Sequence, residues 1–126
     1  MPGSYLLDTN IAIGILEGQI PLGDSNIEVF LCLTVVGELY FGAEKSRRSE
    51  ANRARIDRLI QICPLLTQDL AVSRQYGEIK AALQRRGRPI PDNDIWIAAC
   101  AKRHDLTLVT RDSHFATVEG LDQVAW

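Results

Sequence analysis

Ser4-Tyr5-Leu6-Leu7-Asp8-Thr9-Asn10 is an apolar run closed by an acid and two small polar residues. Apolar side chains at consecutive rather than alternate positions mark a strand covered on both faces, as in a parallel sheet. Thr9 or Asn10 suits the cap of a helix over Ile11–Leu16, which Gly18 stops. Beyond a loop over residues 18–25, the unit repeats. Ile27–Leu33 reads as a second buried strand, and Thr34 as the cap of a helix reaching about Lys45. Ser49 caps a third helix to about Ile62, and Pro64–Thr67 is at most a short edge strand. Thr67 and Asp69 open a fourth helix whose Val72, Tyr76, Ile79 and Leu83 share one stripe, with Gly87 at its end. Asp92-Asn93-Asp94 opens a fifth, apolar nearly all round from Ile95 to Ala101 and therefore central. Thr107–Thr110 and Leu121–Trp126 read as the last strands. Strands alternating with helices, without a hairpin signal, predict an open α/β sandwich with a mostly parallel sheet.

The 126 residues and 14.0 kDa correspond to one domain spanning 1–126. Hydrophobic residues at 46% and charged residues at 24% argue against disorder. The longest apolar stretch, Val29–Val36, is far short of the ~20 residues a membrane span needs. The N-terminal stretch lacks the basic start of a secretory signal. Cys32, Cys63 and Cys100 form no paired motif and sit among apolar neighbours. They read as reduced core residues of a cytoplasmic protein. His104 and His114 lack metal-ligand spacing, which argues against zinc.

The net charge of −2 hides a segregation. Residues 1–44 hold six acids and no Lys or Arg, while residues 45–111 hold all 14 basic residues and seven acids. Such asymmetry points to contact with nucleic acid or a membrane surface. Lys45, Arg47, Arg48, Arg53, Arg55 and Arg58 form one basic cluster; Arg85, Arg86 and Arg88 form another. Either suits RNA phosphates, and either also suits a solvated helix face with pairs such as Arg53–Asp57.

The acids fall in a pattern. In open parallel sheets ligands bind beyond the carboxyl ends of the strands. Asp8 ends the first strand, and Glu38 lies near the start of the helix after the second. Asp94 opens the central helix, and Asp112 follows the fourth strand by two residues. Four distant acids thus converge on one sheet edge, with Asp92 nearby as a ligand, a helix cap or a charge at the helix dipole. Clustered carboxylates repel unless a cation neutralises them. An all-oxygen set selects a hard ion, Mg²⁺ or Mn²⁺, suited to phosphodiester hydrolysis with one ion or two.

Four blocks then stand out: Leu6-Leu7-Asp8-Thr9-Asn10; Thr34-x3-Glu38-Leu39; Ile90-Pro91-x2-Asp94-x2-Ile97-Ala98-Ala99; and Leu108-Val109-Thr110-x-Asp112-x2-Phe115. In this order and spacing they resemble the PIN-domain family. With Gly42-Ala43 and Trp126 they are similar to its VapC-type toxins of toxin–antitoxin pairs. The resemblance implies a three-layer α/β/α sandwich with strand order 3-2-1-4-5, and a Mg²⁺-dependent endoribonuclease acting on RNA. It implies that Asp8, Glu38, Asp94 and Asp112 form the catalytic, metal-binding quartet. It further implies that Thr9, Asn10 and Thr110 orient carboxylates or water; Asp92 falls where members of the family vary. A VapB-like antitoxin and a toxin homodimer are the implied partners. Two other readings compete. A non-catalytic PIN-like module would bind RNA or protein through the basic clusters. An aspartyl phosphatase with Asp8 as nucleophile would need a second Asp at position 10, which is Asn10.

Overall fold

The computed structural model describes residues 3–24 and 26–126, so Ser25 of the expected 18–25 loop lies outside the described residues. The elements run β1 (Ser4–Leu7), α1 (Thr9–Leu16), β2 (Glu28–Cys32), α2 (Leu33–Lys45), α3 (Ser49–Ile62), β3 (Leu65–Leu66), α4 (Leu70–Arg85), α5 (Asp92–Arg103), β4 (Thr107–Val109), a short 3-10 helix (Ser113–Thr117) and β5 (Gln123–Val124). The five strands form one sheet in the order β3-β2-β1-β4-β5, every pair parallel. β1 is central: Tyr5 pairs with Val29 on one side and Thr107 on the other.

The expected architecture and strand order are therefore those of the molecule. Strand order reverses after β3, so right-handed crossovers put α1–α3 on one face and α4–α5 on the other. Packing follows that division, with α1, α2 and α3 against one another and α4 against α5. The consecutive apolar residues of β1 and β4 are buried as a parallel sheet demands: Leu6, Leu7, Leu108 and Val109 are fully inaccessible. α5 buries Ile95 and every residue from Ile97 to Ala101. Cys32, Cys63 and Cys100 are all buried and free, and burial pushes the Cys63 thiol up to about 11. No described helix is long and apolar enough to cross a membrane.

The structure corrects the expected helix starts. α1 begins at Thr9, and its cap is Asp8, whose Oδ1 accepts from the Thr9 N–H at 2.8 Å. Neither Thr9 nor Asn10 caps it, because Asp8 keeps the extended backbone of the strand it ends (φ −71°, ψ 159°). Thr34 lies inside α2, where its hydroxyl accepts from Gln68 Nε2, and Cys32 holds the cap position without a side-chain bond. Ser49 is the first residue of α3 rather than its cap. Asp69 does cap α4, accepting from the Val72 N–H at 2.9 Å. The last strand is only Gln123–Val124, and Leu33 belongs to α2 rather than β2. Gly18 and Gly87 take left-handed φ of 75° and 66°, which lets the chain leave α1 and α4 where expected.

Candidate active site

Parallel strands end together, so the turns after β1, β2 and β4 and the start of α5 meet at one edge. A chain of contacts there joins all four expected acids. Asp8, 5% exposed, accepts from the Thr9 N–H through Oδ1 and from the Thr110 hydroxyl through Oδ2, both at 2.8 Å. The Thr9 hydroxyl donates to Glu38 Oε1 at 2.7 Å, and Asn93 Nδ2 donates to Glu38 Oε2 at 3.3 Å. The Thr110 oxygen also accepts from the Asp112 N–H at 3.0 Å. His114 Nδ1 lies 3.1 Å from Asp94 Oδ2 and 3.2 Å from Asp112 Oδ1. Glu38, Asp8, Asp112 and Asp94 are thus linked through Thr9, Thr110 and His114.

Local sequence explains each placement. Asp8 is the hinge between β1 and α1. Glu38 lies on the second turn of α2, and Asp94 sits in the first turn of α5. Asp112 caps the 3-10 helix, its Oδ1 accepting from the His114 N–H at 2.9 Å. That Asx-type turn folds the His114 ring back over the acids.

No Lys or Arg forms an ion pair with any of the four acids among the described residues. Burial is the main cause that raises the Asp8 carboxyl above 3.8, against the opposing bonds from Thr110 and Thr9; Asp112 and Glu38 add repulsion. Burial likewise raises Asp94, opposed by the His114 contact, with repulsion from Asp8 and Asp112. The acids share one electrostatic neighbourhood, and their own surroundings leave negative charge uncompensated. Asp94, Asp112 and His114 each place one donor atom within 4.8 Å of the others, a set that could hold a divalent ion. Carboxylate oxygens dominate the edge, which fits a hard cation.

Other expected residues sit elsewhere. Asp92 turns away to α4, where its Oδ1 accepts from Lys80 Nζ at 2.9 Å and Tyr76 Oη at 3.0 Å. It is neither a cap nor part of the acid edge, since Pro91 holds the cap position. Asn10 is exposed on α1 and makes no hydrogen bond to the acids among the described residues. Arg86 pairs with Glu119 at 2.8 Å and donates to the Thr117 carbonyl, so it ties α4 to the chain beyond the 3-10 helix. Arg85 and Arg88 are exposed. Arg53 pairs with Glu44 at 3.0 Å rather than Asp57, whose Oδ1 takes the Tyr40 hydroxyl. Arg47 and Arg48 line a groove of about 520 Å³ whose wall includes Glu38, Leu39 and Ile56.

Two residues at the edge were not expected. Asn93 is the neighbour of a predicted ligand and reaches Glu38 across the gap between α5 and α2. His114 lacked a second histidine at metal spacing. The usable signal was Asp112-x-His114, an acid followed by a histidine across one tight turn.

A PIN domain model matches residues 5–121, which is nearly the whole chain. The chain belongs to the PIN domain family. This PIN domain is 35% identical to "Ribonuclease VapC2" of Haemophilus influenzae, over 86% of each chain. It is 33% identical to "tRNA(fMet)-specific endonuclease VapC" of Shigella flexneri, over 97% of each. Among solved structures, DNA-bound VapBC from Salmonella typhimurium superposes with a TM-score of 0.89 at 28% identity, covering 100% of this chain and 99% of that one. Membership disposes of the aspartyl phosphatase reading, as does the exposed amide at Asn10 where that chemistry needs a carboxylate.

Proposed function

We propose that this PIN domain is a Mg²⁺-dependent endoribonuclease, the toxin of a toxin–antitoxin pair, cleaving RNA phosphodiesters at Asp8, Glu38, Asp94 and Asp112. One observation carries the reading: four carboxylates are joined in one hydrogen-bonded chain, two are pushed up by burial, and none has a Lys or Arg partner among the described residues. A binding module has no use for such an arrangement, because the repulsion weakens the fold and gains no contact. Ribonuclease names among the relatives support RNA as substrate, and VapBC assemblies among the structural neighbours support a VapB-like antitoxin partner. Exposed Phe41, Ile62 and Leu70 offer apolar surface for that partner or for the homodimer included in this reading. The three buried free cysteines agree with the cytoplasmic location it assumes.

A bound Mg²⁺ would neutralise the scissile phosphate and lower the pKa of a coordinated water. Asp8, Glu38, Asp94 and Asp112 would hold it. The protein's own part is positioning. Thr110 fixes the unbonded face of Asp8 by taking up Oδ2, and at the same time sets the Asp112 main chain. Thr9 locks Asp8 through its N–H and Glu38 through its hydroxyl, so a single residue fixes two acids from different elements. Asn93 steadies the other Glu38 oxygen. Arg47 and Arg48, on the groove that Glu38 borders, are placed to meet RNA phosphates on the way into the acid edge. Arg85 and Arg88 supply further exposed positive charge.

The test is cleavage of end-labelled RNA by the purified protein with Mg²⁺, with the product ends sequenced. Asp8→Asn and Asp94→Asn are expected to abolish turnover while retaining a native circular-dichroism spectrum. Full Mg²⁺-dependent activity in either variant would overturn the mechanism. Tight RNA binding without turnover in the wild type would favour the non-catalytic module.

A further inference from the structure

We propose that His114 is a direct ligand of the cation at this edge, giving through Nδ1 a nitrogen that makes the centre favour first-row transition ions over Mg²⁺. The proposal rests on the reading above that the acids hold a divalent cation.

Geometry is the first support. His114 Nδ1 lies 3.1 Å from an oxygen of Asp94 and 3.2 Å from an oxygen of Asp112. Adjacent donors on an octahedral ion with bonds of about 2.1 Å stand about 3.0 Å apart. The imidazole therefore occupies a donor position beside two carboxylates, at the spacing that one ion imposes on neighbouring ligands.

The second support is that the backbone, not the ring, sets this position. The His114 N–H is bound by Asp112 Oδ1 at 2.9 Å, and the His114 carbonyl accepts the Thr117 hydroxyl at 2.9 Å. Thus the ring is presented from an anchored turn, although half of its side chain is open to solvent. That openness leaves the access a metal ion needs.

Chemistry decides the preference. Mg²⁺ gains little from a nitrogen donor and takes oxygen and water instead, whereas imidazole raises affinity for transition ions. The same contacts admit one competing role, in which a protonated imidazole acts as a resident counter-charge that an arriving ion must displace. The two roles predict opposite effects of removing the ring.

Titration with Mn²⁺, followed by pulsed electron paramagnetic resonance and calorimetry, separates them. The wild type should show nitrogen coupling to Mn²⁺, and its pattern should change when the protein is made with ¹⁵N-histidine. His114→Ala should lose that coupling and weaken Mn²⁺ binding about tenfold or more, with Mg²⁺ binding, read by competition, changing less than about threefold. His104→Ala, at the opposite end of α5, should keep both the coupling and the affinity. Mn²⁺ bound to the wild type without nitrogen coupling overturns the His114 assignment alone. Tighter Mn²⁺ binding by His114→Ala overturns it in favour of the counter-charge role. No Mn²⁺ or Mg²⁺ binding by the wild type overturns the metal reading itself.

Discussion

Asp92 and Asp94 are two residues apart in the first turn of α5, and a helix rotates them about 200° from one another. Asp92 faces α4, where the Lys80 ammonium and the Tyr76 hydroxyl hold its carboxyl below the usual range. Asp94 faces the sheet edge, where burial and two more acids hold its carboxyl above it, and only His114 eases it. Residue type, helix and dipole are the same. The difference is who answers the charge. The protein answers Asp92 with Lys80 and Tyr76 and, among the described residues, gives Asp94 His114 alone.

The sharpest way to break this comparison is kinetic. Asp94→Asn should lower RNA cleavage at least about 10²-fold, as loss of a charged group at a phosphoryl site does. Asp92→Asn should stay within twofold. Similar losses in the two variants would show that the α4-facing acid also serves the reaction.

Thr110 extends the test to a group that only positions. Thr110→Val keeps the shape but leaves Asp8 Oδ2 without its donor, and cleavage should fall about 10–100-fold. Thr110→Ser, which restores the hydroxyl, should recover most of it. Equal activity in both would separate the hydroxyl from the site.

Stability should move the opposite way to activity. An acid whose folded pKa is raised above its unfolded value costs stability once the unfolded form ionises. For Asp94 that cost begins near pH 3.8, grows up to the folded pKa and is then constant. Without metal, Asp94→Asn should therefore melt at the same temperature as wild type below that pH and higher at pH 7. Saturating Mg²⁺ should close or reverse the gap, since a ligand at 100 times its Kd stabilises by about 2.7 kcal/mol. Scanning calorimetry across pH, with and without Mg²⁺, reads both.

The smallest effects belong to charges away from the acid edge. Arg47→Gln with Arg48→Gln should reduce the slope of log affinity against log salt for single-stranded RNA by about 1.4. Lys80→Met, which breaks the exposed pair with Asp92, should leave the melting temperature almost unmoved and Mg²⁺ binding unchanged. A large loss of Mg²⁺ affinity in that variant would erase the contrast between the two faces of α5.

The PIN-domain resemblance supplied the sheet order, and the residues themselves the meeting of Asp8, Glu38, Asp94 and Asp112, because each acid follows a strand or lies near the start of a helix and parallel strands end on one side. Neither reached the direction in which side chains point within a helical turn. Asp92 was grouped with Asp94 by proximity along the chain, although the helix sends them to opposite faces. The sequence leaves Arg86 between a phosphate contact and a solvated helix face, because its partner, Glu119, is 33 residues away and no local pattern pairs them. The start of α1 escapes the sequence because one residue does three things: Asp8 ends a strand, caps a helix and faces the other acids. His114 was missed because its ligand-like position depends on a 3-10 turn that begins at Asp112 itself.

The hydroxyl of Thr110 meets Asp8 across 102 residues of chain. Residues so distant can meet only after β4 has taken its place beside β1, so the acid edge has no partial form. A ribosome making this chain would hold a segment with Asp8 and Glu38 but no completed edge until β4 had emerged. On the proposed reading, RNA cleavage is timed by topology, since it waits for β4 to dock beside β1.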